Sequence, residues 1–254
     1  MDQTSQPAFD APEAQPFLFE GGPTGVLMLH GFTSTPQSVR RVAQSVHDLT
    51  GATVMGPLLA GHGTSADDLA RTTHQDWVDS AEAAMRALQM RCQRIFIGGL
   101  SLGATIALNI AARQRDSIDG VFSINGSTGL YRPEVVAPLY DPAAPEFVSG
   151  IGSDIAKEGE RELCYDRIPH VTLQQRFLLT NATGALLPLI RQRLLIMQSR
   201  TDHVVAPENA THIATRVSSD DIRLFWMRRS WHVATLDHDA DAIASNVSRL
   251  SSGK

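Results

Sequence analysis

Residues 98–103 hold a serine in a setting that could make it a nucleophile. They carry the G-x-S-x-G pattern around Ser101, between the apolar run 95–97 and the almost wholly apolar run 104–112. In this pattern the serine occupies a strained turn from a strand into a helix, which exposes its hydroxyl above the sheet. At average Gly and Ser frequencies the pattern alone arises by chance in about one such chain in ten. Its position between a strand pattern and a helix pattern favours a catalytic serine over a structural turn.

A serine hydroxyl needs a general base, and the base needs a carboxylate that orients it. Where the serine lies on such a turn, the chain order is serine, then Asp or Glu, then His. Asp202 follows the apolar run 194–197, and His232 follows the apolar run 222–226. If these runs are parallel strands, both side chains emerge at the same edge of the sheet as Ser101. We therefore predict a catalytic triad of Ser101, Asp202 and His232.

Other side chains compete for the roles of base and orienting acid. His203 would point elsewhere if its neighbour Asp202 faces the site, and His238 is expected in a solvated or capping position. Histidines that flank glycines are expected to shape loops near the site, and carboxylates are common in the first turn of a helix. The alternative bases are His30, His62, His203 and His238, and the alternative acids are Glu208, Asp237 and Asp239.

An oxyanion at the reacting carbon needs backbone N–H donors. One is the amide of Leu102, the residue after the nucleophile. The second is expected in loop 30–36, which follows the strand pattern 26–29. There Gly31 permits a tight turn, and the amide of Phe32 is placed to donate. An ordinary strand-to-helix turn is the alternative interpretation of this loop.

Short apolar runs alternate with amphipathic segments along most of the chain. The runs are four to six residues long, as expected for strands covered on both faces, and the segments have the helical spacing of three and four. The predicted strands cover residues 25–29, 52–55, 94–97, 120–124, 194–197 and 222–226, and the predicted helices cover residues 36–49, 77–88, 104–112, 209–217 and 240–250. This alternation predicts an α/β fold with a mostly parallel central sheet flanked by helices.

Two intervals fall outside this alternation. The N-terminal residues are polar and rich in Ala, Pro and Gln, and they predict a mobile tail. A long interval before the fifth apolar run contains several prolines and no convincing sheet strand, and it is too long for a bare loop in a compact domain. The predicted units are a tail (1–16), a core (17–126 and 192–254) and an inserted cap (127–191) with helical parts around 155–164 and 173–179.

The composition excludes several classes of partner. The 254 residues are 43% hydrophobic and 19% charged, and their net charge of −5 gives no cationic surface for nucleic acid. Cys92 and Cys164 are expected to be free thiols, because two cysteines form no disulfide framework. The chain has no H-E-x-x-H motif, no closely spaced Cys/His set and no Walker lysine, so we expect neither a metal nor another cofactor.

The chain also has no run of eighteen apolar residues that would predict a membrane span. Its first sixteen residues have neither the basic start nor the apolar run of a secretory signal. We therefore expect a cytoplasmic protein without integral membrane association. The expected partner is a small-molecule substrate, and a homodimer is left open.

Several segments resemble the bacterial monoacylglycerol lipases and their close carboxylesterase relatives. These segments are His-Gly-Phe-Thr at 30–33, Pro-Leu-Leu-Ala-Gly-His-Gly-Thr at 57–64, Arg-Thr-Thr-His-Gln-Asp-Trp at 71–77, Gly-Leu-Ser-Leu-Gly at 99–103, Ile-Gly-Ser-Asp at 151–154, Asp-His-Val-Val at 202–205 and His-Val-Ala-Thr-Leu-Asp at 232–237. The resemblance extends from about residue 17 to the C-terminus and includes the predicted cap. It implies the α/β-hydrolase fold.

The resemblance further implies hydrolysis of monoacylglycerols to glycerol and a fatty acid, through an acyl-enzyme on the serine and without a cofactor. The family's catalytic residues match the predicted triad, and its oxyanion amides match Phe32 and Leu102. Its cap residues near the glycerol end match Ile151 and Glu162, although a solvated charge is the alternative for Glu162.

This chain departs from the family pattern at three positions. The residue after the serine is Leu102 where the family usually has Met, and Ala104 and Ser34 stand where it usually has Gly. Leu102 still supplies its amide, so the departures affect the shape of the acyl pocket and not the mechanism.

Three other functions are compatible with the same framework. A general short-chain carboxylesterase would share every catalytic residue and differ in pocket length and polarity. The fold also permits a catalytically silent binding protein. A cofactor-free haloperoxidase or C–C hydrolase would use the same triad.

Overall fold

A computed structural model of the chain describes residues 9–129 and 133–253. Within these residues, strands form a central sheet with helices on both faces. The strands are β1 (Phe17–Phe19), β2 (Gly22–Leu29), β3 (Ala52–Gly56), β4 (Arg94–Leu100), β5 (Gly120–Ile124), β6 (Phe147–Ser149), β7 (Arg167–Pro169), β8 (Arg193–Ser199) and β9 (Ile222–Met227). The helices are α1 (Gln37–Thr50), α2 (Ala66–Leu69), α3 (His74–Gln89), α4 (Leu102–Arg113), α5 (Pro133–Val136), α6 (His170–Leu186), α7 (Glu208–Arg216) and α8 (Ala240–Ser252).

The central sheet has seven strands in the order β1-β3-β2-β4-β5-β8-β9. Every neighbouring pair is parallel except β1 and β3, which are antiparallel. The prediction of a mostly parallel sheet flanked by helices is confirmed. Strand β1 was not predicted, because three residues are too short to show a period.

Burial on both faces explains why the strand segments read as continuous apolar runs. In β2, Val26 and Met28 pack in a buried cluster with α1 and α8, whereas Leu27 and Leu29 pack on the other face with α3 and α4. Successive side chains of a strand point to opposite faces, so both sets must be apolar when both faces are covered. Helix α4 is buried along its whole first three turns, as its apolar sequence predicts.

The segment between β5 and β8 carries α5, α6 and a separate antiparallel pair, β6 with β7. The helix predicted at 173–179 is confirmed and extends over the whole of α6. The helix predicted around 155–164 is wrong. Gly159 adopts a left-handed φ of +80° there, and side chains of Ser153 and Asp237 accept backbone N–H groups that a helix would use internally. The division into core and cap stays a prediction.

Residues 1–8 of the predicted tail lie outside the described residues. The remainder of that interval contacts the body of the protein. Arg40 of α1 donates to the carbonyl groups of Pro12, Glu13 and Gln15, and the Phe9 ring meets the Tyr165 ring edge to face at 5.1 Å. These contacts hold the entry to β1 against α1 and the β5–β8 segment.

Two further expectations bear on the surroundings of the fold. Cys92 and Cys164 are both free thiols, as predicted. No helix in the described part of the chain combines the length and the apolar character that crossing a membrane requires.

Candidate active site

Ser101 lies on the turn between β4 and α4 with a strained backbone. Its φ of 54° and ψ of −112° are sparsely populated for a residue with a side chain, and such conformations cost about 1–3 kcal/mol. The turn is held because the Ser101 amide donates to the Ile124 carbonyl (2.9 Å) and its carbonyl accepts from Thr105 (3.1 Å). Ser101 is thereby fixed above the carboxyl end of β4, as the G-x-S-x-G pattern predicts.

Two glycines of the pattern allow β2 to approach this turn. A Cβ atom at Gly99 or at Gly103 would overlap the carbonyl group of Leu29 in β2. A larger residue at either position would push β4 or α4 away from β2. The glycines therefore set the distance between the serine turn and the loop that follows β2.

His232 and Asp202 form a buried pair at the same edge of the sheet. The His232 Nδ1 atom lies 2.9 Å from Asp202 Oδ2 and 3.0 Å from Oδ1. Asp202 Oδ1 also accepts the amides of Val204 (2.9 Å) and Val205 (2.8 Å), and Gln198 donates to Oδ2 (3.2 Å). An ionised carboxylate only accepts, so Nδ1 carries the proton and Nε2 is left as the acceptor. This is the tautomer that a general base needs.

Ser101 and His232 line one small cavity. Its volume is about 20 Å³, which is about the room that one water molecule requires. Phe32 lines it as well, and so do Ile151 and Glu162 from the β5–β8 segment. Five of the seven residues singled out in the sequence therefore meet at one place. The other two adjoin it: Leu102 follows the serine at the start of α4, and Asp202 lies behind the imidazole.

The His232 loop, residues 228–239 between β9 and α8, is held by residues that the sequence did not point to. Asn125, directly after β5, donates to the His232 carbonyl (2.6 Å), and Ser199 donates to the Trp231 carbonyl (2.7 Å). Asn125 has a φ of 49°. An Asn that tolerates the left-handed region just after a strand is a weak signal that could have found it.

The amides of the same loop are held mainly by carboxylates. Asp154 Oδ2 accepts the His232 amide (3.0 Å), and the Asp154 carbonyl accepts the Val233 amide (3.0 Å). Asp237 accepts the Trp231 amide (2.9 Å) and two amides of the β5–β8 segment. Asp154 lies in the 151–154 motif of the family resemblance, which was the available signal.

The competing residues have other partners. His203 Nδ1 donates to Asp154 Oδ1 (2.8 Å), and the His203 side chain is half-exposed. His238 is exposed, and Asp237 accepts backbone amides. Glu208 begins α7, and Asp239 accepts the Arg229 amide. None of these residues lines the cavity at Ser101.

His30 and His62 support the loop after β2. His30 Nε2 accepts the Leu59 amide (3.1 Å) while Nδ1 faces the Gly31 carbonyl (2.9 Å), and the two rings meet at 5.1 Å. Burial lowers the pKa of His30 to about 3 and that of His62 to about 4. Both imidazoles are therefore neutral at physiological pH and serve as loop supports, as their glycine neighbours suggested.

Glu162 is a buried carboxyl group on the wall of the cavity. Burial raises its pKa, while a hydrogen bond from Ser34 and the nearby His232 act in the opposite direction. The solvated-charge alternative for Glu162 is therefore wrong, since the residue is only 8% exposed. Ser34, one of the three departures from the family pattern, supplies its polar neighbour.

Comparison with known proteins places this geometry in a family. The hydrolase family described as "Serine aminopeptidase, S33" matches residues 24–239. The chain belongs to this family. A thermostable monoacylglycerol lipase of Bacillus sp. (strain H-257) is 41% identical over 231 residues, which cover 91% of this chain and 91% of that protein. The predicted family resemblance is confirmed.

Further similar proteins extend the comparison. A carboxylesterase of Bacillus subtilis (strain 168) is 27% identical over 92% of this chain and 94% of its own. A solved structure from work on LipS and LipT, two metagenome-derived lipolytic enzymes, is 37% identical with a TM-score of 0.92, covering 96% of this chain and 99% of its own. A monoglyceride lipase of Saccharomyces cerevisiae, 14% identical with a TM-score of 0.78 and covering 94% of this chain and 91% of its own, shares the fold. The α/β-hydrolase fold is thus confirmed.

Proposed function

We propose that this hydrolase cleaves carboxylic esters, monoacylglycerols in particular, through an acyl-enzyme on Ser101. The observation that carries the proposal is the buried His232–Asp202 pair at 2.9 Å, with His232 and Ser101 on the walls of one cavity. The 41% identity to a monoacylglycerol lipase over nine-tenths of both chains supports the choice of substrate.

The reaction proceeds as two acyl transfers. His232 Nε2 takes the proton of Ser101 as Oγ attacks the ester carbonyl, and the alcohol leaves with that proton. Water, activated by the same imidazole, then releases the acid. Asp202 keeps Nδ1 protonated and stabilises the imidazolium. The amides of Phe32 and Leu102 hold the oxyanion, and each donor of this kind contributes about 3 kcal/mol.

The glycerol part of the substrate lies against Glu162 and Ile151. Glu162 is buried beside Ser34 on the cavity wall, and a carboxyl group there can hydrogen-bond to the free hydroxyls of a monoacylglycerol. Ile151 lines the same cavity and is 43% exposed, so it covers the alcohol from the solvent side. A simple ester of a monohydric alcohol would make neither hydroxyl contact.

The cavity must widen before a monoacylglycerol can enter. A volume of about 20 Å³ is far below the 300–1,000 Å³ of typical ligand pockets. Several of its walls come from the β5–β8 segment, in which Gly152 adopts a left-handed φ of +73° in open space. Movement of Ile151 and Gly152, which precede Asp154, would enlarge the cavity while the contacts of Asp154 with the His232 loop stay in place.

The test is a substrate panel for the purified full chain. We expect kcat/KM for monoacylglycerols to exceed that for diacylglycerols of the same acyl length by at least tenfold, because the enclosed site has little room for a second chain. Ser101→Ala is the control and should reduce kcat by a thousandfold or more. Equal turnover of mono- and diacylglycerols would reject the monoacylglycerol assignment but leave ester hydrolysis intact.

A general carboxylesterase is the second candidate, supported by the Bacillus subtilis relative. Glu162→Gln separates the two candidates. In a monoacylglycerol lipase it should raise KM for monobutyrin by about tenfold and leave KM for ethyl butanoate within twofold. Equal changes for both esters would favour the carboxylesterase.

The cytoplasmic location and the homodimer stay predictions. Cell fractionation followed by immunodetection tests the location. Size-exclusion chromatography with light scattering tests the oligomeric state, for which a single 27.6 kDa species would exclude the dimer.

A further inference from the structure

A second cavity lies next to the one at Ser101. Its volume is about 240 Å³, against about 20 Å³ beside the serine. Its walls come from loop 202–207 after β8, from α6 and from the start of the β5–β8 segment. The lining includes the apolar residues Val135, Val204, Val205, Ala206 and Pro207.

Arg176 of α6 lines both cavities. Among the residues described, no other guanidinium or ammonium group lines either one. Its guanidinium lies 6.0 Å from the centre of the Phe32 ring, and the residue is half-buried. The positively charged Arg176 side chain is thus shared by the two cavities.

This cation has no anionic partner in the described part of the chain. None of the ion pairs formed within residues 9–129 and 133–253 includes Arg176. The nearby Asp202 carboxylate is occupied by His232, two backbone amides and Gln198. A partly desolvated guanidinium without a carboxylate keeps donors whose fork geometry matches a carboxylate ligand.

A carboxylate bound by Arg176 could belong to the alcohol part or to the acyl part of an ester, and the position of Glu162 distinguishes the two. On the alcohol side, an anionic group would meet the buried Glu162 carboxyl, which disfavours a second negative charge. The acyl part extends away from the alcohol, and the larger cavity beyond Arg176 offers it room. Asp202 also lines this larger cavity, but its side chain has no exposed surface and its oxygens already accept from His232, Gln198 and two backbone amides. An anionic group is therefore better accommodated at the acyl end than beside Glu162.

We propose that Arg176 binds a carboxylate at the far end of a short acyl chain, so that half-esters of dicarboxylic acids are a second substrate class. The inference rests on the proposed function of Ser101. The Ser101 Oγ–carbonyl bond forms as the ester C–O bond breaks, and the alcohol leaves with the proton from His232. Water then cleaves the acyl-enzyme, which releases the dicarboxylic acid and restores the serine hydroxyl.

The test compares two esters of equal carbon number, monoethyl adipate and ethyl hexanoate, by the rate of ethanol release. We expect Arg176→Met to lower the ratio of their kcat/KM values (half-ester over neutral ester) by at least tenfold. Arg176→Lys, which keeps the charge but loses the fork, should give an intermediate ratio. Arg191→Met, which removes an exposed arginine that lines neither cavity, controls for net charge and should leave the ratio within twofold.

The competing explanation is that Arg176 only supports the Phe32 ring. In that case Arg176→Met would change both rates by the same factor, and the unchanged ratio would overturn the proposal. A wild-type enzyme that hydrolyses ethyl hexanoate but not monoethyl adipate would overturn it as well.

A binding measurement separates failure of this inference from failure of ester hydrolysis. Calorimetry with Ser101→Ala should detect monoethyl adipate, and the double variant Ser101→Ala/Arg176→Met should bind it at least tenfold more weakly. Binding of monoethyl adipate by Ser101→Ala, with turnover of neither ester by the wild type, would reject the proposed ester hydrolysis but keep the carboxylate site. Equal binding by the single and double variants would reject the site.

Discussion

The His232 loop is held from two sides, by the core and by the β5–β8 segment. The core side chains bond to carbonyl groups of the loop, whereas the segment bonds to its amides. On the core side, Asn125 and Ser199, both buried at strand ends, donate to carbonyl groups of the loop. On the other side, Asp154 of the β5–β8 segment accepts the amide of His232 and also contacts the half-exposed His203. The proposed general base is therefore positioned partly by the segment that also lines the cavity at Ser101.

From this difference we infer that the β5–β8 segment affects the position of His232 as well as the shape of the cavity at Ser101. The core contacts are shielded from water, so breaking them leaves buried groups without partners. The contacts from the segment are closer to solvent, where water can replace a lost partner. Substitutions on the core side should therefore have the larger effects.

The largest effect is expected at the acid that orients the imidazole. Asp202→Asn should lower kcat by about 10⁴-fold, because the amide stabilises neither the required tautomer nor the imidazolium. Glu208→Gln is the matched control, since Glu208 is an alternative acid that does not line the cavity at Ser101. Steady-state kinetics on one monoacylglycerol measures both, and a larger loss in the Glu208 variant would assign the acid to that residue.

The dependence of stability on pH should distinguish the buried histidines His30 and His62 from Glu162 of the β5–β8 segment. The folded pKa values of His30 and His62 lie at about 3 and 4, below the ordinary 6.5, so the unfolded chain binds more protons between pH 6.5 and about 4. The free energy of unfolding should fall as the pH decreases through this window, by on the order of 3 kcal/mol per histidine at full extent.

Glu162 should act with the opposite sign. Its folded pKa is raised, so the contribution of this group is present below its ordinary pKa and is lost as the pH rises through the folded value. Urea unfolding at several pH values would measure both effects. His62→Asn should reduce the fall in the free energy of unfolding between pH 6.5 and about 4. Glu162→Gln should reduce the fall that occurs as the pH rises above the ordinary pKa of a glutamate. Variants whose pH profiles coincide with that of the wild type would contradict these pKa assignments.

The core contact to the His232 loop should give the next effect. Asn125→Ala removes the donors to the loop carbonyls and places Ala at a φ of 49°, so we expect about 2–3 kcal/mol less stability and a kcat lower by tenfold to a hundredfold. Asn125→Gly relieves the backbone strain and should recover about 1 kcal/mol of stability without recovering kcat. Full activity in both variants would show that the loop holds His232 without Asn125.

The contact from the β5–β8 segment should give the smallest effect. Asp154→Ala should lower kcat by up to about tenfold with a smaller change in KM, because the His232 amide loses its partner near solvent. His203→Phe removes only the exposed hydrogen bond between His203 and Asp154, so kcat should stay within twofold of the wild type. If both variants lower kcat equally, the effect belongs to His203 and not to the His232 amide.

Much of the site could be predicted because its signals are local. Ser101 is marked by glycines that a sheet turn requires, and Asp202 and His232 follow apolar runs that had to be parallel strands. Asn125 also follows an apolar run, and Asp154 lies in a family motif, but neither mark predicts the residue's role, since that role depends on a loop more than seventy residues away along the chain. The helix wrongly expected around 155–164 has the same origin: polar groups there bond to Asp237 and Ser153 instead of forming helical turns.

The sequence by itself determined the alternation of strands and helices and the strained serine turn, and it predicted the order of the proposed triad, because period and turn chemistry act over a few neighbouring residues. Only the tertiary structure decided that Glu162 is buried beside Ser34, that Arg176 stands between two cavities, and that Asp154 reaches the His232 amide. These are consequences of burial and of contacts between distant segments, and neither is encoded in the local pattern of residue types.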